Sequence, residues 1–481
     1  MVSAELLDKL KRCVDDRPEA GVFRVHRDVY TDPEIFELEQ RFIFERSWSF
    51  LCLESQLPKA FDFVTAHIGR VPVVVTRGED MRLRAFLNAC RHKGAQLLLQ
   101  EQGSRRSIAC PYHGWSYDTQ GRNIAIKARD TGHYGPAFDA AGHDLLPLAR
   151  LASYKGLVFG CLDPGVPALE DFLGDMKFFI DLYMDQGPDG MEAVPGRAVY
   201  TYRGNWKLQM DNGMDYYHLT STHSSFLDVQ AKRRRGEGNQ AARQFDWAKR
   251  ESQQGGTFLF RHGHALNWLR QPEAEKRPIW PVIDEIRARV GEQRAQWMLN
   301  LKNCVVFPNM QIADATSLLL RTFRPISAGE TEMRVYCLAP RGESPERRAW
   351  RLRQFEDFFN PSGFATPDDT VVYEDCQSGY HAGGSGGPGL FDYTQGCERG
   401  RAILQTEPGG VARELGIAPA GAVEGGFEVQ QEMCFMAPYR EWQRLMLAGA
   451  AGAPAYGDEA GAAAPPAASP AMSSPAMDAA R

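Results

Sequence analysis

Two stretches of the chain carry residues whose types and spacing suit metal chemistry. The first reads Cys90-Arg91-His92-Lys93-Gly94, followed later by Cys110-Pro111-Tyr112-His113-Gly114-Trp115. Each arm offers one thiolate and one imidazole within four residues, and a glycine stands just beyond each histidine. Glycine lets a loop turn tightly where a bulkier residue would collide with a cluster or with the opposite loop. Zinc modules built from two Cys and two His more often keep the cysteines on one arm and the histidines on the other. Mixed arms suit a [2Fe–2S] cluster with Cys90 and Cys110 on one iron and His92 and His113 on the other. Histidine ligation raises the potential of such a cluster and makes it a mild one-electron relay. Structural zinc is the competing reading.

The second stretch runs from Gly204 through Asp211, Asn212, Asp215 and His218 to His223. Asp215 and His218, three apart, share a helical face. An aspartate there can accept a hydrogen bond from the imidazole nitrogen that faces away from a metal. His218 and His223, five apart, sit about 140° from each other around a regular helix, so they converge only if the helix widens or breaks. Two such histidines alone would be ordinary helix residues. An electron carrier in the same chain changes that, because its electrons need an acceptor. A two-histidine, one-carboxylate iron leaves coordination positions open for oxygen and substrate. The carboxylate must come from farther along, and the best candidate segment is Phe359 to Thr370, which contains Asp368-Asp369. Paired aspartates after proline otherwise serve as a helix cap.

The elements that must position these groups fall into four segments. Residues 1–45 read as helical, with Asp32 as a cap, Pro33 in the first turn and an apolar face of Ile35, Phe36, Leu38, Phe42 and Ile43. Residues 46–164 alternate short β-type runs (Phe61–Thr65, Val71–Thr76, Gly156–Gly160) with polar turns, which predicts a small β domain bearing the cluster loops. Residues 165–448 are mixed. They hold a helix over Leu169–Tyr183, a strand at Ala198–Tyr202, a hairpin of Ser317–Phe323 with Met333–Leu338, and helices over Arg347–Phe359 and Tyr439–Leu447. Residues 449–481, rich in Ala, Pro, Ser and Gly, read as a disordered tail. Gly383–Gly389 lacks the Lys-Ser/Thr ending of a phosphate loop and reads as a flexible connection. His262 and His264 alternate in a β-type run and suit a structural or pocket-lining role, and Lys232–Arg235 suits a solvated loop.

The whole chain sets the outer bounds. It has 481 residues, 55 basic and 61 acidic, and a net charge of −6, which gives no electrostatic case for a nucleic-acid or membrane partner. The first residues lack the apolar core of a signal peptide, and no uncharged apolar run approaches the roughly 18 residues of a membrane span. Ten cysteines dispersed over such a length read as reduced thiols, so a cytoplasmic protein is expected. The absence of a dinucleotide-binding fingerprint implies that a separate reductase supplies electrons.

With both metal motifs in hand, residues 20–448 resemble the large (α) subunits of Rieske non-haem iron ring-hydroxylating dioxygenases. The benzoate/toluate and anthranilate 1,2-dioxygenase branch is the nearest in pattern, through Ser362–Asp369, Gln186–Gly190 and Arg324–Ser327. The resemblance matches Cys90, His92, Cys110 and His113 to the cluster ligands, His218 and His223 to the iron histidines, and Asp369 to the iron carboxylate, with Asp368 the alternative one position away. It makes Asp215 the bridge between His218 and His113 of a neighbouring subunit, and puts Asn212 and Asp211 beside the iron. Asp211 departs from the family, in which many members carry Glu. The implied fold is α+β: a Rieske β domain followed by a helix-grip catalytic domain, an antiparallel sheet wrapped on helices. The implied assembly is a trimer (α3, or α3β3 with a small β subunit) served by a flavin/iron–sulfur reductase, with or without a ferredoxin. The implied reaction is cis-dihydroxylation of a small aromatic acid by O2, giving a cis-diol, or a catechol when an ortho amino or halogen group leaves. A Rieske monooxygenase or demethylase using the same metals is the alternative, and an electron-transfer protein without catalytic iron is a more distant one.

Overall fold

The computed structural model describes residues 2–237, 254–271, 273–382, 391–426 and 432–457. The fold is α+β. A small all-β unit carries the cysteine–histidine turns, and a larger unit of antiparallel sheet and helices follows it.

In the β unit, strands Leu83–Leu87, Val71–Arg77, Asp62–Ile68 and Gln102–Ser104 pair in that order. Strands Asn123–Ala125, Ser116–Asp118 and Ser107–Ala109 form a second sheet, and Arg150–Tyr154, Leu157–Cys161 and Ser49–Leu53 a third. The β-branched run Val73-Val-Val75 is fully buried and forms the centre of this unit, as expected of strands packed on both faces.

The larger unit is built on a nine-stranded antiparallel sheet. Its long central hairpin, Leu318–Ser327 with Glu330–Pro340, joins the strand pair Met310–Asp314 and Leu301–Val306, then Ala265–Leu269, Gln254–Leu259 and Gly421–Gly426. Met191–Ala193 and Ala198–Tyr202 share the outer edge of Glu330–Pro340. Helices Trp206–Asn212, Pro345–Phe358, Ala365–Tyr380 and Met436–Ala450 accompany the sheet, and the first of them packs against Leu318–Ser327. The β unit is bolted on through Asn309, whose amide accepts from the Phe50 N–H at 2.8 Å and donates to the Phe50 carbonyl at 3.1 Å. Among the described residues no helix is long and apolar enough to cross a membrane.

Several local expectations are corrected. Residues 1–45 are not all helical: after Ala4–Arg12 the chain forms the hairpin Val14–Arg17 with Val22–Val25, and only then Pro33–Phe42, capped by Asp32 through the Glu34 and Ile35 N–H groups at 2.7 and 3.1 Å. The helix expected over Leu169–Tyr183 is split into Leu169–Leu173 and Met176–Met184 at Gly174, whose φ of 50° no helical residue adopts. Part of the expected disordered tail, residues 449–457, is ordered and buries Ala455 and Tyr456. The last helix runs to Ala450, and Tyr456 is buried with its hydroxyl 2.8 Å from Ser47 Oγ, an aromatic anchor in an otherwise small-residue stretch. The rest of that tail and the loop Gly383–Gly389 lie outside the described residues. Lys232–Arg235 is not a loop but the end of helix Ser224–Arg234, where basic side chains complement the helix dipole and Arg233 reaches Asp357 at 2.5 Å. His262 and His264 do not alternate along a strand. His262 sits in a tight turn at φ 59°, and the strand begins only at Ala265.

Candidate metal centres

The two cysteine–histidine turns are built alike. Cys90 N–H donates to the Ala95 carbonyl and Gly94 N–H to the Cys90 carbonyl, at 2.8 and 2.9 Å; Cys110 N–H and Trp115, Gly114 N–H and Cys110 repeat the pattern at 2.7 and 3.0 Å. Gly94 and Gly114 close both turns with φ of 74° and 75°, a region costly for a side chain with Cβ. Each cysteine is buried, whereas His92 is exposed and His113 half-buried, so the cysteine side of the site faces inward and the histidine side outward. The rings converge at their tips, His92 Nδ1 lying 3.2 Å from His113 Nδ1. Trp115 stacks on His92 with centroids 4.9 Å apart, and the Tyr117 hydroxyl lies 3.3 Å from Cys90 Sγ. Partial burial and the neighbouring His92, Lys93 and Lys127 lower the His113 pKa. Among the described residues the group of donors close enough to share a single ion lies elsewhere, and these four do not form one. One thiolate and one imidazole from each turn, with the two imidazole tips brought together, suit a two-iron cluster carrying both histidines on one iron.

The group that does converge is His218, His223 and Asp369, each offering one donor atom within 4.8 Å of the others. Convergence depends on a broken helix. Trp206–Asn212 stops at Gly213, the chain makes tight turns through Met214 to His218, and after the short helix Leu219–Thr222 it breaks again at His223 (φ −101°, ψ 30°) before Ser224–Arg234. No widened turn is needed, because the two breaks swing both rings inward. His218 Nε2 lies 3.2 Å from His223 Nε2, and Asp369 Oδ1 lies 3.6 and 3.2 Å from them. Each outer nitrogen meets a carboxylate: His218 Nδ1 is 3.0 Å from Asp215 Oδ2, and His223 Nδ1 is 3.3 Å from Asp368 Oδ2. Both rings are therefore held with Nδ1 protonated and the Nε2 lone pairs aimed at a common point, the arrangement metal-binding histidines use.

Asp215 also accepts the Tyr217 N–H at 2.5 Å and the His218 N–H at 3.3 Å, so one carboxylate both shapes the turn and orients the ring. Burial disfavours the His218 imidazolium, but the bond to Asp215 and the charges of Asp215 and Asp369 outweigh it and raise the pKa. Burial pushes the Asp369 carboxyl up, while the histidines and Arg321 pull it lower on balance. Asp369 and Asp368 do not cap their helix; they lie in its first turns, within Ala365–Tyr380, and meet opposite ring nitrogens of His223. Asn212 stands in the site, its amide donating to Asp369 Oδ1 at 3.0 Å and lying 3.3 Å from His218 Nε2.

Asp211 is a correction. It faces away, accepting from Tyr439 and Tyr30 hydroxyls at 2.7 and 3.2 Å. Adjacent helical residues point about 100° apart, so a helix that turns Asn212 toward the site must turn Asp211 elsewhere. Burial pushes its carboxyl up to about 8, against the pull of the two tyrosines and Lys207. His262 and His264 form no part of the site. His264 Nε2 donates to the Phe172 carbonyl at 3.0 Å and Nδ1 accepts from the Phe307 N–H at 3.1 Å, which makes it a structural residue.

Two residues escaped sequence reasoning. Gly213 passes so close to the Gln311 carboxamide that an added Cβ would fall within it, and Gln311 in turn holds the Gln209 and Met210 carbonyls at 2.9 and 3.1 Å. Arg321 lines the cavity over the histidines. Only the helix-ending glycine left a local signal. The cavity encloses about 590 Å³ including its mouth and has apolar walls from Leu219, Ala313, Ala315, Phe358 and Ala365.

The fold and the two centres define an oxygenase architecture that pairs a Rieske-type electron carrier with a two-histidine, one-carboxylate site. Comparison with known proteins carries this further. Residues 47–154 match the Rieske [2Fe-2S] domain family, and residues 191–405 match the ring hydroxylating alpha subunit (catalytic domain) family. The toluate 1,2-dioxygenase alpha subunit of Pseudomonas putida is 37% identical over 92% of this chain and 95% of its own length. The 2-halobenzoate 1,2-dioxygenase large subunit of Burkholderia cepacia is 38% identical over 92% and 93%. The crystal structure of naphthalene 1,2-dioxygenase from Rhodococcus sp. bound to indole superposes with a TM-score of 0.77 at 26% identity, covering 93% of this chain and 99% of that one. The chain belongs to the family of aromatic-ring-hydroxylating dioxygenase large (alpha) subunits, whose cofactors are a Rieske [2Fe–2S] cluster and mononuclear non-haem iron. These relatives are named as alpha or large subunits of dioxygenases, and others as the large oxygenase component of a naphthalene 1,2-dioxygenase system.

Proposed function

We propose that this chain is the iron-bearing subunit of a dioxygenase that adds both atoms of O2 to neighbouring ring carbons of a small aromatic carboxylic acid. Two electrons and two protons complete a cis-diol; where the ring carries an ortho amino or halogen substituent, that group would leave as ammonia or halide and the neighbouring carboxylate as CO2, giving a catechol. The observation that carries the reading is the convergence of His218, His223 and Asp369 in a cavity with apolar walls, in a chain that also holds the paired cysteine–histidine turns.

In this reading Cys90, Cys110, His92 and His113 hold the cluster, and His218, His223 and Asp369 hold ferrous iron. The cluster supplies single electrons, and the iron supplies the open positions at which oxygen is activated. The chain does the rest. Asp215 and Asp368 keep both imidazoles in the binding tautomer. Asn212 steadies the Asp369 oxygen that faces the rings. Leu219, Ala313, Ala315, Phe358 and Ala365 exclude water and present a face to an aromatic ring.

The outward histidine edge supports transfer between copies, His113 of one subunit approaching Asp215 of the next in a trimer. A separate flavin/iron–sulfur reductase, a small β subunit, work in the cytoplasm and a division into 46–164 and 165–448 belong to the same reading. The test is turnover with a compatible reductase and 18O2 on a panel of benzoate, toluates, 2-halobenzoates and anthranilate. Two labelled oxygens in a diol or catechol support the proposal. One labelled oxygen, or a demethylated product, would instead favour the monooxygenase alternative.

A further inference from the structure

Four arginines are buried among the described residues: Arg233, Arg277, Arg321 and Arg351. Three have carboxylate partners, Asp357, Asp314 and Glu343 respectively. Arg321 has none. It is 5% exposed, its Nε is buried without a hydrogen-bond partner, and no described side chain forms an ion pair with it. It rises from the middle of Leu318–Ser327, between Gln311 and Val335 on the neighbouring strands, and lines the same cavity as His218, His223 and Asp369. Phe359 presents its ring 5.9 Å from the guanidinium carbon. A guanidinium does not lose its proton; Asp369 acts on this one through its charge but not in ion-pair contact, and a guanidinium held away from water without such a contact costs free energy that an arriving anion offsets. Its planar fork matches a carboxylate through two parallel hydrogen bonds.

We propose that Arg321 is the docking residue for the substrate's carboxylate, receiving it from inside the cavity so that the attached ring lies along the apolar wall toward the His218–His223–Asp369 centre. This rests on the proposed activity toward aromatic acids and adds the group that makes the acid preferred over its neutral counterpart.

The test compares benzoate with benzamide, a neutral molecule of nearly the same shape, in the holoprotein with its reductase. Equilibrium binding by calorimetry and kcat/KM are measured for wild type, Arg321→Met and Arg321→Lys. Losing one partner of a buried, hydrogen-bonded charge pair predicts that the benzoate-over-benzamide preference falls by roughly 30- to 1,000-fold in Arg321→Met. Arg321→Lys should restore part of it, as a point charge without the fork. Iron content and the cluster spectrum identify any variant that has lost its centres. An Arg321→Met protein that keeps both centres and the wild-type preference overturns the proposal. So does a parallel loss for both compounds, which would make Arg321 a structural support for Asp369. Failure of wild type to bind or oxidise any aromatic acid would overturn the activity itself, and is visible before any variant is made.

Discussion

The contact between Gly213 and Gln311 makes Gly213→Ala a sharp perturbation. Gly213 has an ordinary φ of −65°, so alanine meets no backbone strain there and by propensity alone should be tolerated. The obstacle is the Gln311 carboxamide, which occupies the space a Cβ would take. Moving it aside breaks its bonds to the Gln209 and Met210 carbonyls and the one it accepts from the Gln209 amide at 3.2 Å. At about 1 kcal/mol net for each buried hydrogen bond, the loss is about 3 kcal/mol. On the scale of about 2–4 °C per kcal/mol for domains of 150–250 residues, the melting temperature should fall by roughly 6–12 °C. Because Gly213 lies between Asn212 and Asp215, the displacement should also loosen His218 and lower the iron content. Thermal unfolding and metal analysis read both effects, and the double variant Gly213→Ala/Gln311→Ala should remove the clash and recover iron. A Gly213→Ala protein with wild-type melting and full iron would refute the steric account.

Other predictions follow from the centres and the buried histidines. Asp215→Ala should leave the cluster spectrum intact and cut product formation by at least about 100-fold, the upper end of the loss expected when a metal-bound histidine loses its carboxylate partner; near-normal turnover would remove Asp215 from the path. Cys90→Ser should abolish the cluster's visible absorbance and leave the mononuclear iron in place, and loss of both metals together would contradict two separate centres. Burial holds His264 at about 3 and His262 at about 4, below the ordinary 6.5. The unfolded chain therefore gains protons as pH falls through about 6.5 while the folded chain does not, so stability present above that pH is lost on acidification, at about 1.4 kcal/mol per pH unit for each histidine. His264→Gln should flatten the slope of unfolding free energy between pH 6 and 4.5 by one proton's worth; an unchanged slope would refute its assignment.

The parts legible in the sequence are those whose chemistry is local. The cysteine–histidine turns are self-contained, each closing through its own backbone around a glycine, so spacing alone describes them. The pairing of Asp215 with His218 is likewise a three-residue relation. His218 and His223 were legible as a pair but not in their means of convergence, because the chain at Gly213 is packed against Gln311, from a strand far along the chain, so closely that only glycine fits. Asp211 and Asn212 differ only in rotation about a helix, and packing against Tyr30 and Tyr439 decides which one faces the cavity. Arg321 follows three leucines in its strand and precedes a second arginine, Arg324, so nothing local marks it out, and whether it is paired depends wholly on tertiary neighbours. The hairpin Val14–Arg17 with Val22–Val25 was hidden because charged residues crowd its turn and mask the alternation.

Glu39, on the helix Pro33–Phe42, is fully buried and ties two remote parts of the chain to itself through three side chains. It meets Lys207 at 2.5 Å, accepts from Trp206 Nε1 at 2.8 Å and accepts from Trp442 Nε1 at 2.7 Å. Trp206 and Lys207 open the helix that ends at Asn212. Trimming the gene to residues 191–405 would therefore strip Lys207 of its counter-charge and leave a bare ammonium in an apolar interior, a loss of about 3–5 kcal/mol. The ends of this polypeptide act as a clasp behind the iron site, and an excised catalytic fragment should come out of expression insoluble and metal-free.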